Sequence, residues 1–238
     1  MKIIKTDIHI HTCLSPCAEI SISPKRIIEK AHSVGLNLLF ITDHNTVENA
    51  EAAMKKAAEY KDLKVYPGIE ITSVEEVHTL ALFPCLNDAL EVQKILYMNL
   101  PDSINEKEYE RQVIANHFDE IEGYLKKSLF SSVNLNLNSI VELIHINKGL
   151  AIAAHVDRPS FSVIGQLGFI PNDIKYDALE VSPNLGLEGV KSRYNVLGDK
   201  YRFVSGSDSH TLQNFGTYFM ELEMEDNSFE SFKKYLVN

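Results

Sequence analysis

The chain has 238 residues, 45% of them apolar, and a formal net charge of −10 at pH 7. That length suits one α/β barrel, with residues 1–238 read as a single domain, and no apolar run approaches the roughly 18 residues needed to span a bilayer. The acidic balance argues against a basic groove, so duplex nucleic acid and membranes are not expected partners, whereas a small phosphorylated substrate stays compatible because clustered metal ions reverse the potential locally.

Ile3 to His9 reads as a first strand. Ser23-Pro24 supplies an N-cap followed by proline at the first helical position, opening a helix that Gly35 stops. Leu38 to Thr42 is an apolar second strand, Val47 to Tyr60 a helix, Lys64 to Thr72 a third strand bent at Pro67-Gly68, and Thr79 to Phe83 a fourth. The rhythm breaks over 84–135, which reads as an insertion: a helix from Asp88 to Asn99, a charged loop or short helix from Pro101 to Glu110, and a β-ribbon or other excursion from Gln112 to Val133. Ser139 and Glu142 have capping-box spacing at the start of a helix that Gly149 ends. Leu150 to Ala154, Ala178 to Ser182 and Arg202 to Ser205 are further strands, with helices at Leu187 to Leu197 and Ser228 to Val237. Strands alternating with helices predict a parallel sheet, and uninterrupted apolar strands predict burial on both faces. About seven such units fit a closed or nearly closed barrel, whose active site gathers at the C-terminal ends of the strands. His78 is the exception, because it precedes its strand.

Nine residues able to bind transition metals fall near the ends of these strands: His9, His11, Cys17, His44, Glu70, His78, His155, Asp208 and His210. Imidazole and carboxylate are the usual ligands of catalytic zinc, manganese and iron. His9 and His11 are two apart, so a strand points both at one ion, with Asp7 on the same side as a hydrogen-bond partner for a liganding ring. Asp43 stands beside His44 in the same supporting role. Glu70, between Ile69 and Ile71, needs a partner for its buried charge; a pair of metals or a Lys or Arg would supply one. Asp208 and His210 repeat the spacing of two beyond Gly206. Arg158 either captures a phosphate bidentately or pairs with Asp157 or another acid. His32, His117 and His145 read as structural, as does Cys13. The odd number of cysteines, with Cys85 the third, argues against a disulfide framework. The amino terminus turns polar by Thr6-Asp7 and does not read as a signal peptide, so a cytoplasmic location is expected.

Asp-x-His-x-His-Thr (7–12), Thr-Asp-His (42–44), Gly-Ile-Glu (68–70), Ala-His (154–155) and Ser-Asp-Ser-His (207–210), in this order, resemble the PHP family, named for polymerase and histidinol phosphatase. The resemblance implies a distorted (β/α)7 TIM-like barrel with a trinuclear site that hydrolyses phosphate esters. It implies His9, His11, Glu70 and Asp208 around a first ion, Glu70 bridging to a second held by His78 and His155, and a third held by His44, His210 and position 17. Family members often have histidine at that position, and this chain has Cys17, either a thiolate ligand or an inert small residue. Two or three divalent ions (zinc, manganese or iron) are therefore the expected cofactors. The expected reaction is hydrolysis of a small phosphomonoester such as a nucleotide, sugar phosphate or histidinol phosphate. A hydroxide between the first two ions attacks phosphorus, and Arg158 neutralises the charge that builds on it. Three rivals stand beside it: an amidohydrolase, a phosphodiesterase acting on short single strands or cyclic nucleotides, and a metal-binding domain without catalysis.

Overall fold

A computed structural model describes residues 1–103, 106–198 and 200–237. The chain opens with β1 (Lys2–Ile10), α1 (Pro24–Ser33), β2 (Leu38–Ile41), α2 (Ala50–Ala57), β3 (Lys64–Thr72), β4 (His78–Leu82) and α3 (Leu86–Asn99). It continues with α4 (Glu106–Tyr109), β5 (Val113–Ala115), β6 (Ile121–Tyr124), α5 (Leu137–Ile146), β7 (Leu150–Ala153) and α6 (Val163–Leu167). It closes with β8 (Ala178–Val181), α7 (Gly186–Arg193), α8 (Asn195–Gly198), β9 (Arg202–Ser205), β10 (Met220–Met224) and α9 (Phe229–Val237). Part of the charged segment expected from Pro101 to Glu110, residues 104 and 105, lies outside the described residues.

Eight strands form one sheet in the order β10-β1-β2-β3-β4-β7-β8-β9. The sheet nearly closes, because the segment after β9 returns to β1: Asp208 N donates to His9 O at 2.9 Å and His11 N to Ser209 O at 3.2 Å. The fold is thus the expected distorted TIM-like barrel, but not an all-parallel one. β4 runs antiparallel to both β3 and β7, and β10 runs antiparallel to β1. The reversal of β4 accounts for His78. Its first residue lies at the end of the barrel where the parallel strands finish.

The apolar strands separate two cores by their alternation. Leu38 and Phe40 of β2 pack with Leu80, Leu82, Ile152 and Val204 in one cluster, which Phe229 and Phe232 of α9 also join. Leu39 and Ile41 face the other way, into the cluster that Ile27, Ile28, Val92, Leu96 and Ile140 contribute from the surrounding helices. On β3 and β8 the same alternation leaves Glu70 and Glu180 on the barrel-interior side, above the apolar filling. The interior is therefore layered, with an apolar floor and a polar top.

Local signals moved several boundaries. Asn136, not Ser139, caps α5: its Oδ1 accepts from Ser139 N at 2.8 Å, which puts Ser139 inside the helix. α2 is shorter than expected at both ends, and Asn49, just before it, turns its side chain away from the helix, donating to Thr12 Oγ1 at 2.9 Å and to Val113 O at 3.1 Å. Those bonds dock the β5–β6 ribbon, the predicted excursion, onto the barrel. The single helix expected over Leu187 to Leu197 divides into α7 and α8. The segment around Gly165 and Gly168 holds the short helix α6, capped by Ser162 Oγ, which accepts from Gly165 N at 2.9 Å.

Candidate metal centre

Glu70 is the hub. It is 1% exposed, and five imidazoles face it at 2.7–3.4 Å. Its Oε1 meets His78 Nδ1 at 2.7 Å and His155 Nε2 at 3.2 Å, while its Oε2 meets His9 Nε2 at 3.4 Å, His11 Nε2 at 3.3 Å and His44 Nδ1 at 3.1 Å. The alternative of a Lys or Arg partner gives way to rings. Burial opposes ionisation of this carboxyl, but His78, His9 and His44 outweigh it and hold Glu70 well below the usual carboxylate range.

Asp208 completes a compact group with three of these residues. Its Oδ1 lies 3.3 Å from His9 Nε2 and 3.1 Å from His11 Nε2, and the two Nε2 atoms are 3.2 Å apart. Donors about 2.0–2.1 Å from a tetrahedral ion stand roughly 3.3–3.4 Å from one another. His9, His11, Glu70 and Asp208 have the size of that shell. Two backbones are strained to build the centre: His155 and Asp208 hold positive φ, 29° and 49°, a cost met mostly at functional sites.

The outer nitrogens decide which ring atom points inward. His9 Nδ1 donates to Glu180 at 3.0 Å, so its Nε2 turns to the centre. Ser15 Oγ donates to Asp43 Oδ1 at 2.6 Å and therefore accepts from His11 Nδ1 at 3.0 Å, again leaving Nε2 inward. His210 Nδ1 lies 2.8 Å from the carbonyl of Asp208, which can only accept, so its Nε2 keeps a lone pair. These are the tautomers that metal ligation requires. His155 Nδ1 is buried without a hydrogen bond, and His44 Nδ1 makes none either, although Glu70 Oε2 lies 3.1 Å from it. The donor set fits divalent cations.

Three supporting residues differ from expectation. Asp7 bonds no ring. Its Oδ1 accepts from the backbone nitrogens of His9 (3.3 Å) and Ser207 (2.9 Å), because the register of β1 against β2 shifts between Asp7 and Ile10. Burial pushes the Asp7 carboxyl up to about 6. Asp43 acts at one remove, gathering Thr12 N, Thr12 Oγ1 and Ser15 Oγ at 2.6–2.7 Å. Glu180, which sequence reasoning passed over, bonds the His9 ring directly. The signal was available: a lone carboxylate within Ala178–Val181 poses the same burial problem as Glu70. Glu180 also accepts from His155 N at 2.9 Å.

Arg158 Nη1 pairs with Asp208 Oδ2 at 2.5 Å and lines a cavity of about 250 Å³ above the centre. Phe130 and Phe161 stand at this cavity, and the Phe161 ring stacks on His78 at 4.8 Å. Cys17 lines it too, its thiol pushed up to about 12 by burial and by Glu70. The three histidines read as structural lie elsewhere: His32 stacks on Tyr60, His117 tilts against Phe118, and His145 pairs with Asp177 at 2.9 Å. Among the described residues no helix is long and apolar enough to cross a membrane.

A family model for the PHP domain matches residues 7–182. The chain belongs to the PHP family. Clusters of His, Cys, Asp and Glu side chains that could hold metal ions lie among the described residues. No curated protein matches the chain. Among solved structures, the PHP fold here is similar to the lesion-specific endonuclease PfuEndoQ from Pyrococcus furiosus, with 19% identity and TM-score 0.71 over 98% of this chain and 55% of that one. A complex of Endonuclease Q with a 27-mer duplex, bearing an abasic lesion at the active site, gives 20% identity and TM-score 0.72 over 98% and 56%. A proposed metal-dependent phosphoesterase from Bifidobacterium adolescentis gives 20% and 0.62 over 98% and 95%. The PHP chain thus spans about half the length of the endonuclease. That complex overturns the exclusion of duplex nucleic acid as a partner: Endonuclease Q, similar in fold, is bound to a duplex substrate. Net charge averages the whole surface, whereas a partner meets only the local field at the site.

Proposed function

We propose that residues 1–238 form one PHP domain that hydrolyses phosphomonoesters at a centre built on Glu70. The observation that carries this reading is the division of the Glu70 carboxylate, each oxygen facing its own set of imidazoles. His9, His11, Glu70 and Asp208 would hold one divalent ion, zinc, manganese or iron, and Glu70, His78 and His155 would hold a second. Bound there, such ions lower the pKa of water and withdraw charge from phosphoryl oxygens. The residues of the chain do the rest. Glu180 and Ser15 keep the His9 and His11 Nε2 lone pairs inward, and Asp43 fixes the loop that carries Ser15. Arg158, held by Asp208 at the cavity wall, offers its remaining N–H groups to a phosphoryl oxygen. The cavity takes the phosphoryl group, and the ester's remainder extends past Phe130 and Phe161. Three free thiols suit a cytoplasmic location.

A second reading, strand cleavage in duplex DNA, draws on the likeness to the Endonuclease Q complex. One assay separates the two. Phosphate release from nucleotides, sugar phosphates and histidinol phosphate is measured beside scission of an abasic duplex and of short oligonucleotides, with manganese, zinc and ferrous forms. Phosphomonoester hydrolysis is expected to dominate. Exclusive scission would replace it with the second reading. Glu70→Ala or Asp208→Ala is expected to abolish either activity and lower the metal content; full turnover in these variants would overturn the centre itself.

A further inference from the structure

Four side chains, His11, Cys17, His44 and His210, offer donor atoms that all lie within 4.8 Å of one another. This group stands apart from the two sets gathered on Glu70 in one respect: it contains sulfur. We infer that Cys17 is the thiolate ligand of a further ion, which it holds with His44 and His210, and that this position selects a thiophilic cation (zinc, ferrous iron or cobalt) over manganese or magnesium. The inference rests on the metal-centre reading above.

The loop bearing Cys17 is built to hold it there. Asp43 ties down its start through Thr12 and Ser15, and Ser15 Oγ also accepts from His44 N at 3.2 Å. Past Cys17, Ala18 N donates to Ser15 O at 2.9 Å and Glu19 N to His210 O at 2.9 Å. The loop is thus fastened at one end to the residue preceding His44 and at the other to His210 itself. His210 presents an inward lone pair, and His44 Nδ1 is buried with no hydrogen bond.

The other two cysteines show the contrast. Cys13 is 2% exposed and donates to Val113 O at 3.7 Å, packed with Val113 and Ala115. Cys85 is exposed and bonds Asp88 Oδ2 at 3.1 Å. Thiolate favours zinc and iron, whereas oxygen-rich shells suit magnesium and manganese. On binding, the Cys17 S–H bond breaks, its proton leaves to solvent, and the sulfur electron pair goes to the cation.

Cobalt(II) titration of the full chain tests this, because a thiolate ligand gives a near-ultraviolet sulfur-to-cobalt charge-transfer band. The band is expected in the wild type and in Cys85→Ser, and is lost in Cys17→Ser. That variant binds the last ion at least roughly 10–100-fold more weakly, the scale on which even outer partners act. Cys17→His is expected to regain that ion without the band. On the unaltered protein, zinc is expected to slow alkylation of Cys17 while leaving Cys85 unaffected, which decides the matter if the variants fold poorly. Cobalt uptake without the band, or a band unchanged in Cys17→Ser, would overturn the inference and leave the Glu70 centre standing. A chain that takes up no cobalt overturns both.

Discussion

Glu180 performs for His9 the task that alternation along a strand assigned to Asp7. Both are buried carboxylates near the same ring, yet Glu180 bonds Nδ1 while Asp7 spends its oxygen on backbone amides. The shift of register in β1 makes the difference, and nothing in Asp7-Ile8-His9 announces it. Glu180→Gln keeps the shape and removes the charge. It is expected to lower metal affinity or turnover by about 10–100-fold, as a competing-chelator titration would read. The protons on these rings matter equally. Burial disfavours the charged ring of His11, but Asp208 and Glu70 outweigh it and raise it to about 9; Glu180, Asp208 and Glu70 likewise raise His9. Cations must displace those protons, so apparent affinity is expected to climb by about tenfold per pH unit per displaced proton as pH rises from neutrality toward the His11 value of about 9. An affinity flat between neutral pH and that point would show that these rings are not ligands.

Among the elements, the apolar strands were legible and their directions were not. Leu38–Ile41 and Leu150–Ala153 read as buried on both faces because one face lines the barrel and the other meets helices. A period of two is the same read forwards or backwards, so the pattern carries no sign of the reversal that brings His78 to the centre. β10 escaped notice altogether: Met220–Met224 alternates buried Met220, Leu222 and Met224 with exposed Glu221 and Glu223, a short apolar signal. Connections carry chemistry that composition does not show, as at Gly206 between β9 and Asp208. A Cβ there would lie 2.4 Å from His9 Cβ and 2.6 Å from Glu180 Oε1. Gly206→Ala is therefore expected to cost about 1–3 kcal/mol through overpacking and to weaken metal binding by displacing the His9–Glu180 pair. Thermal denaturation and a metal titration on the same variant check this; wild-type values for both would show that the strand end yields without cost.

At the scale of the molecule, motif order carried the site better than whole-chain charge carried the partner. The positions expected as metal ligands converge because each ends up at one mouth of the barrel, including Asp208 and His210, which lie beyond residues 7–182 of the family match. A net charge of −10 has no such geometric content, and it misdirected the exclusion of a duplex. The apolar floor, which Phe229 and Phe232 join, packs the barrel, and the polar top above it gathers the Glu70 centre. The most direct measurement is phosphate release followed while metal-stripped protein is titrated with manganese, zinc or ferrous ion. Activity absent at the start, rising with the ions bound and saturating at two or three per chain, is the predicted result. Undiminished turnover in the stripped protein, or ions taken up without any phosphoester cleavage, would contradict it.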